Sequence, residues 1–162
     1  MSNTALRRMT ADAFLAWDLD RPDARHELID GVPVAMTGAK LRHDIITANA
    51  LGELREALRG TRCRVFTADV AIRIPNGNVR RAEVGVHCAP FDLDATHAAA
   101  PRVVVEVSSP TTPTFDRMGK LEEYKSLPTL EYILLLDPRR AGSHSLVARR
   151  RARMERRPDR GP

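Results

Sequence analysis

No stretch of this chain approaches the roughly 18 apolar residues that a membrane-spanning helix needs. No apolar segment follows the opening Met1 to Arg8 either, so a soluble, cytoplasmic protein without a membrane partner is expected. Cysteine is nearly absent: Cys63 and Cys88 lie far apart, and neither has a second Cys or a His at zinc-finger spacing, although His87 adjoins Cys88. A disulfide scaffold and a structural zinc site are therefore not expected. A Gly-x-Ser-x-Gly elbow is missing, which leaves Ser108, Ser109 and Thr111 with no base fixed beside them and sets the serine-hydrolase class aside. Lysine is scarce, with only Lys40, Lys120 and Lys125, so any role that needs an ammonium has few candidates. No internal repeat is visible, and no organic cofactor is expected.

The 162 residues that are present suffice for one domain with a real core. Their formal charge of +5 is uneven. Residues 139–162 hold nine arginines against Glu155 and Asp159, a local +7 that leaves −2 for residues 1–138. The expected organisation is a folded domain over 1–138 and an arginine-rich tail over 139–162, either partly disordered or a shortened final hairpin. Arg149, Arg150 and Arg151 in that tail are candidates for contacts with phosphates.

Periodicity gives the elements. Thr10 can cap a short helix that carries Phe14 and Trp17 on one face and lies as a lid on the domain. Two short strands flank Asp30-Gly31, a pair suited to the positive φ of a tight hairpin. Ile46, Ala50, Leu51, Leu54, Ala57 and Leu58 form one helical stripe that Gly60 ends. Strands are expected at 63–66, 70–74 and 83–87, with Asn76-Gly77 as a hairpin signal between the last two. Asp116 to Leu127 reads as an amphipathic helix stopped by Pro128, followed by a buried strand at 132–136 and a weak one near 145–148. The order predicts an α/β (α+β) fold, a mixed sheet with helices against it.

One residue stands out within this pattern. In Pro101-Arg102-Val103-Val104-Val105-Glu106-Val107-Ser108 a carboxylate interrupts an apolar strand, where desolvation makes it costly unless a metal, a cation or several hydrogen bonds compensate. A structural arginine would do so equally well. Three other features accompany it in order: Glu27 before the first hairpin, Glu83 at a strand start, and Lys120 on the following helix.

The wording around these residues resembles the PD-(D/E)XK nuclease superfamily and, within it, the bacterial Uma-two family of restriction-endonuclease-like proteins. His26-Glu27-Leu28-Ile29-Asp30-Gly31 is similar to that family's Tyr-Glu-Leu-Ile-Asp-Gly, and Val105-Glu106-Val107-Ser108-Ser109-Pro110 to its Val-Glu-Val-x-Ser-Pro. Arg80 to Val84 resembles Arg-x-Pro-Asp-Val, and Lys120 to Tyr124 resembles Lys-Leu-Glu-x-Tyr; the likeness runs in order from about residue 9 to 138.

The resemblance implies a restriction-endonuclease-like mixed central sheet flanked by helices, and a Mg²⁺-dependent cut of DNA phosphodiesters, with Mn²⁺ as a substitute. Hard Mg²⁺ takes oxygen from one or two carboxylates, the part Glu83 and Glu106 would play, while Glu27 would orient the site or add a ligand. Lys120 would supply the water-positioning ammonium. His43, near the start of the second helix, would reach a phosphate or the attacking water. A homodimer would supply two sites for two strands.

The chain also departs from the pattern. A strand lysine would fall at position 108, which is Ser108, so the ammonium must come from the helix. Glu83 stands where the family has Asp and Ala82 where it has Pro, and the longer acid shifts the carboxylate, which predicts reduced activity. Beyond Asp137-Pro138, where the family continues with a further hairpin, the chain turns arginine-rich. Each residue has a plainer reading: Glu83 paired with Arg80 or Arg81, Lys120 exposed and paired with Glu122 or Glu123, Glu27 an acid beside a turn, His43 a surface histidine. The competing whole-protein reading is a catalytically silent relative that binds nucleic acid or serves as an interaction module.

Overall fold

Thr10 sets the first helix: its side-chain oxygen accepts from the Ala13 amide at 3.2 Å, and α1 runs Ala11–Leu19. The computed structural model describes residues 8–90, 92–108, 114–137 and 144–148, with the backbone alone over 114–117 and 144–148. Phe14 and Leu15 of α1 are buried with Leu28, Ala71 and Val79, and Met9 and Trp17 pack at the margin of this cluster.

The hairpin that follows joins β1 (His26–Ile29) to β2 (Val32–Ala35) through Asp30 at φ 48° and Gly31 at φ 77°. Two consecutive positive φ values are what a turn matched to the twist of antiparallel strands requires. Any side chain at Gly31 would also meet Arg8, whose Cβ lies 2.6 Å from where one would begin. β1 pairs on its other side with β5 (Val79–Arg80), and β5 with β4 (Ile72–Arg73), giving a four-stranded antiparallel sheet ordered β2-β1-β5-β4.

The second sheet has five strands: β3 (Arg64–Thr67), β6 (Val84–His87), β7 (Pro101–Val107), β8 (Tyr132–Leu136) and β9 (His144–Ala148), ordered β3-β6-β7-β8-β9. Only β7 and β8 are parallel, and the helix α3 (Thr114–Lys125) lies between them in sequence. This is the expected mixed sheet with helices against it. A parallel pair needs such a crossover, because no tight turn can return a chain to run alongside itself. Helix α2 (Leu41–Ala57) lies against β3, β6 and β7. Ile46, Ala50, Leu51, Leu54 and Leu58 are its half-buried stripe, whereas Ala57 is exposed. The second core cluster joins the two sheets and α3 through Ile72, Ile74, Ala82, Val104, Tyr124, Leu127, Leu130 and Ile133.

Two expectations are corrected. The Asn76-Gly77 turn joins β4 to β5, not the 70–74 strand to the 83–87 strand, and the chain changes sheets between Arg80 and Val84. Strands of two residues carry no period long enough to read, so the first sheet merges with the second in the sequence pattern. The cysteines, expected to stay unlinked, form a Cys63–Cys88 disulfide. Arg64 pairs with His87 at the end of the β3–β6 ladder, so positions 63 and 88 are the next pair across. Sequence distance concealed an adjacency that the sheet creates. Among the described residues no helix is long and apolar enough to cross a membrane.

Candidate active site

Helix α3 presents Lys120, Glu123 and Tyr124 at the i, i+3 and i+4 spacing of one face, and Leu127 follows just beyond its end. Tyr124 and Leu127 are buried in the core, which fixes the helix and aims Lys120 at the junction of the two sheets. The Lys120 ammonium lies 3.0 Å from Glu106 Oε1 on β7 and 3.0 Å from Glu27 Oε1 on β1. It donates also to the Arg81 carbonyl at 3.2 Å. Its side chain is 20% exposed and those of Glu27 and Glu106 are 12% and 18%, so the triad is largely withdrawn from water.

Each acid has further partners. Tyr124 Oη donates to Glu106 Oε1 at 2.7 Å. Glu27 Oε1 accepts from the Arg81 amide at 2.9 Å, and its Oε2 faces Arg80 Nη1 at 3.0 Å. Arg80 in turn reaches Glu123, which also accepts from Asn78 at 2.5 Å and Asn76 at 3.1 Å. The β4–β5 hairpin therefore grips α3 one turn from Lys120.

The electrostatics follow from this arrangement. Burial works to raise the Glu27 pKa, but the Lys120 ammonium, the Arg81 amide and the Arg80 guanidinium outweigh it and hold the acid below its usual range. For Glu106 burial prevails over Lys120 and Tyr124, and its pKa is raised. Burial works to lower the Lys120 pKa; Glu106 and Glu27 reverse that and keep it an ammonium well above the ordinary lysine range. Burial and the neighbouring carboxylates hold the Tyr124 phenol protonated as a donor.

Glu83 lies just before β6, and extending the Val84–Val105 pairing by one step sets it opposite Glu106. Residues directly opposite in an antiparallel pair share a face, with Cβ atoms about 5 Å apart. Glu83 does not pair with Arg80 or Arg81; its Oε1 is 3.3 Å from His43 Nε2 at the start of α2, and both side chains are largely covered. Lys120 is not the exposed partner of Glu122 or Glu123, since Lys125 takes Glu122 and Arg80 takes Glu123. The structure thus brings Glu27, Glu106 and Lys120 into contact, with Glu83 at the start of the neighbouring strand and His43 of α2 against it. Arg149, Arg150 and Arg151 lie outside the described residues.

Arg80, Arg81 and Glu123 were not expected as site residues, and Tyr124 figured only as the last residue of the Lys120-to-Tyr124 wording. The signal for Tyr124 was its place one helical turn after Lys120. For the arginines there was no local signal, because their carboxylate partners are 43 to 63 positions away.

The family model described as "Putative restriction endonuclease", Uma-two, matches residues 11–158. The chain belongs to the Uma-two family. An uncharacterized protein of Synechocystis sp. is 33% identical to this Uma-two protein over 131 residues, 80% of this chain and 68% of its own length. The crystal structure of a putative nuclease belonging to DUF820 from Anabaena variabilis superposes with a TM-score of 0.64 at 16% identity, covering 87% of this chain and 85% of that one. That likeness establishes a restriction-endonuclease-like fold.

Nucleases of this kind are usually metal-dependent, and the donor set can be tested for it. Among the described residues no group of three or more His, Cys, Asp or Glu side chains is arranged to hold an ion. Two carboxylates on one face remain, Glu83 and Glu106, and Mg²⁺ commonly takes only one or two, filling its shell with water and substrate phosphate. The residues fit a hard cation held in that open manner, not a closed structural site.

Proposed function

We propose that this Uma-two protein is a metal-dependent endonuclease that hydrolyses DNA phosphodiester bonds. The observation that carries the reading is the Lys120 ammonium held 3.0 Å from both Glu27 and Glu106, with Glu83 in the adjoining row. Glu83 and Glu106 would hold Mg²⁺, with Mn²⁺ as a substitute. Such an ion, when bound, shields the phosphate's charge and makes water a better nucleophile.

The protein's own groups do the rest. Lys120 remains cationic, and its charge would stabilise the negative charge that grows on the phosphate oxygens; on releasing the Arg81 carbonyl it would turn one donor to the attacking water. Glu27 fixes the ammonium from the opposite side, and Tyr124 holds one Glu106 oxygen so that the other can turn toward the ion. His43 steadies Glu83 and stands where a phosphate would approach α2. Residues 1–138 would carry the chemistry, and the tail over 139–162, with Arg149, Arg150 and Arg151, would add salt-dependent grip on the DNA backbone. A homodimer would cut both strands.

The test is nicking of a supercoiled plasmid with Mg²⁺ or Mn²⁺. The protein is expected to relax the plasmid, and Glu106→Ala to lower the rate by about 10² or more. Cutting that persists in Glu106→Ala would sink this assignment. If neither metal supports cutting, the chain is a silent member of the fold that acts by binding.

A further inference from the structure

We infer that Arg81, which would touch neither substrate nor metal, is the positioning residue that sets the distance between Glu27 and Lys120. The inference rests on the nuclease reading above and concerns how its site is kept in register. The main chain of Arg81 meets both members of the pair: its amide donates to Glu27 Oε1 at 2.9 Å and its carbonyl accepts from Lys120 Nζ at 3.2 Å. No other described residue has its main-chain amide and carbonyl shared between those two side chains in this way.

What holds that stretch of main chain in place is the residue's own side chain. The guanidinium is buried, with 6% of the residue exposed. Nε donates to the His26 carbonyl at 2.9 Å, Nη1 to the carbonyls of Ala68 at 2.8 Å and Asp69 at 2.6 Å, and Nη2 to Asp18 Oδ2 at 2.5 Å. Three separate segments are tied to one planar group: β1 immediately before Glu27, the turn after β3, and the end of α1. Asp18 is itself braced, with Oδ1 2.9 Å from His26 Nδ1. Three of the acceptors are main-chain carbonyls, which cannot rotate away, and the fourth is the Asp18 carboxylate braced by His26.

Lysine cannot reproduce this. Its single ammonium has three donors at one point, whereas the guanidinium spreads donors over a rigid plane to acceptors on three segments. With Lys at 81 the main chain would relax, and Glu27 and Lys120 would lose a shared reference. A shift of 1 Å in a reacting group costs about 10² in rate.

The experiment uses the full chain with Arg81→Lys and, as the milder change, Asp18→Asn, both checked for folding by circular dichroism and thermal melting. Oligonucleotide-duplex cutting with Mg²⁺ should show kcat lower by about tenfold to a hundredfold with KM within about twofold. In parallel, reductive methylation without added metal is followed by peptide mass spectrometry, for which Lys40 and Lys125 are internal references. Lys120 should react several-fold faster in the folded variants than in the parent, with the two reference lysines unchanged. An unchanged Lys120 rate in a folded variant overturns the inference, whatever the kinetics. If the parent itself does not cut, the nuclease reading falls and the methylation rates alone decide the role of Arg81. Should Arg81→Lys fail to fold, Asp18→Asn carries the decision.

Discussion

Lys120 holds its proton against the pull of burial because two carboxylates sit at hydrogen-bond distance. Removing one partner of such a buried group leaves uncompensated charge, which costs about 3 to 5 kcal/mol. Lys120→Met should therefore lower the unfolding free energy by about 3 kcal/mol in urea titration as well as abolish cutting. Glu106→Gln should cost less, because burial already raises the Glu106 pKa, but it leaves Lys120 with Glu27 as its one remaining carboxylate, so the melting temperature at pH 7 should fall while cutting is lost. A melt of the Gln variant at or above that of the parent would contradict this.

The four residues with motif wording around them, Glu27, Glu83, Glu106 and Lys120, were legible in the sequence, since each combines an unusual residue type with its position in an element. Tyr124 was half legible, because a side chain that fills the core and donates at its tip leaves only the apolar half of its signature. The plainer reading, Arg80 or Arg81 as partner of Glu83, does not hold. Local spacing favours neighbours, but their guanidinium groups reach Glu27 on the adjoining strand and Glu123 and Asp18 on the helices α3 and α1.

Among the elements, β6 is the most constrained. Gly85 lies directly opposite Phe66 on β3, and a methyl group at 85 would begin 2.1 Å from the ring. Gly85→Ala should cost about 1 to 3 kcal/mol by overpacking, measured by chemical denaturation. A compensating Phe66→Leu should recover part of it. The disulfide ties the same two strands across a sequence separation of 25. Replacing Cys63 with Ser should cost about 3 kcal/mol of stability, and treating the parent with a thiol reductant should produce a similar shift. The long elements were legible because their periods persist: α2 and α3 were expected within a few residues of where they lie. The two-residue strands β4 and β5 were not, and with them went the separation of the two sheets.

For the molecule as a whole, acid should be the weak flank. Burial works against the ionised forms of Glu27 and Glu123, but their arginine, lysine and asparagine partners prevail and depress both from a reference of 4.5. A depressed acid contributes stability that is present above its unfolded pKa and lost as the pH falls through its folded one. The melting temperature should accordingly hold near neutrality and fall below about pH 4.5, with Glu106 opposing the trend because its own shift is upward. Glu123→Gln should flatten the acid limb of that curve.

The passage from Arg80 to Glu83 has one more implication. Those four positions leave one sheet and enter the other, and the acids that flank them come from both. Neither half can assemble a working centre by itself, so the catalytic count on warming should decline in step with global melting and show no earlier, local loss. Any turnover measured would then serve as a thermometer of the entire fold.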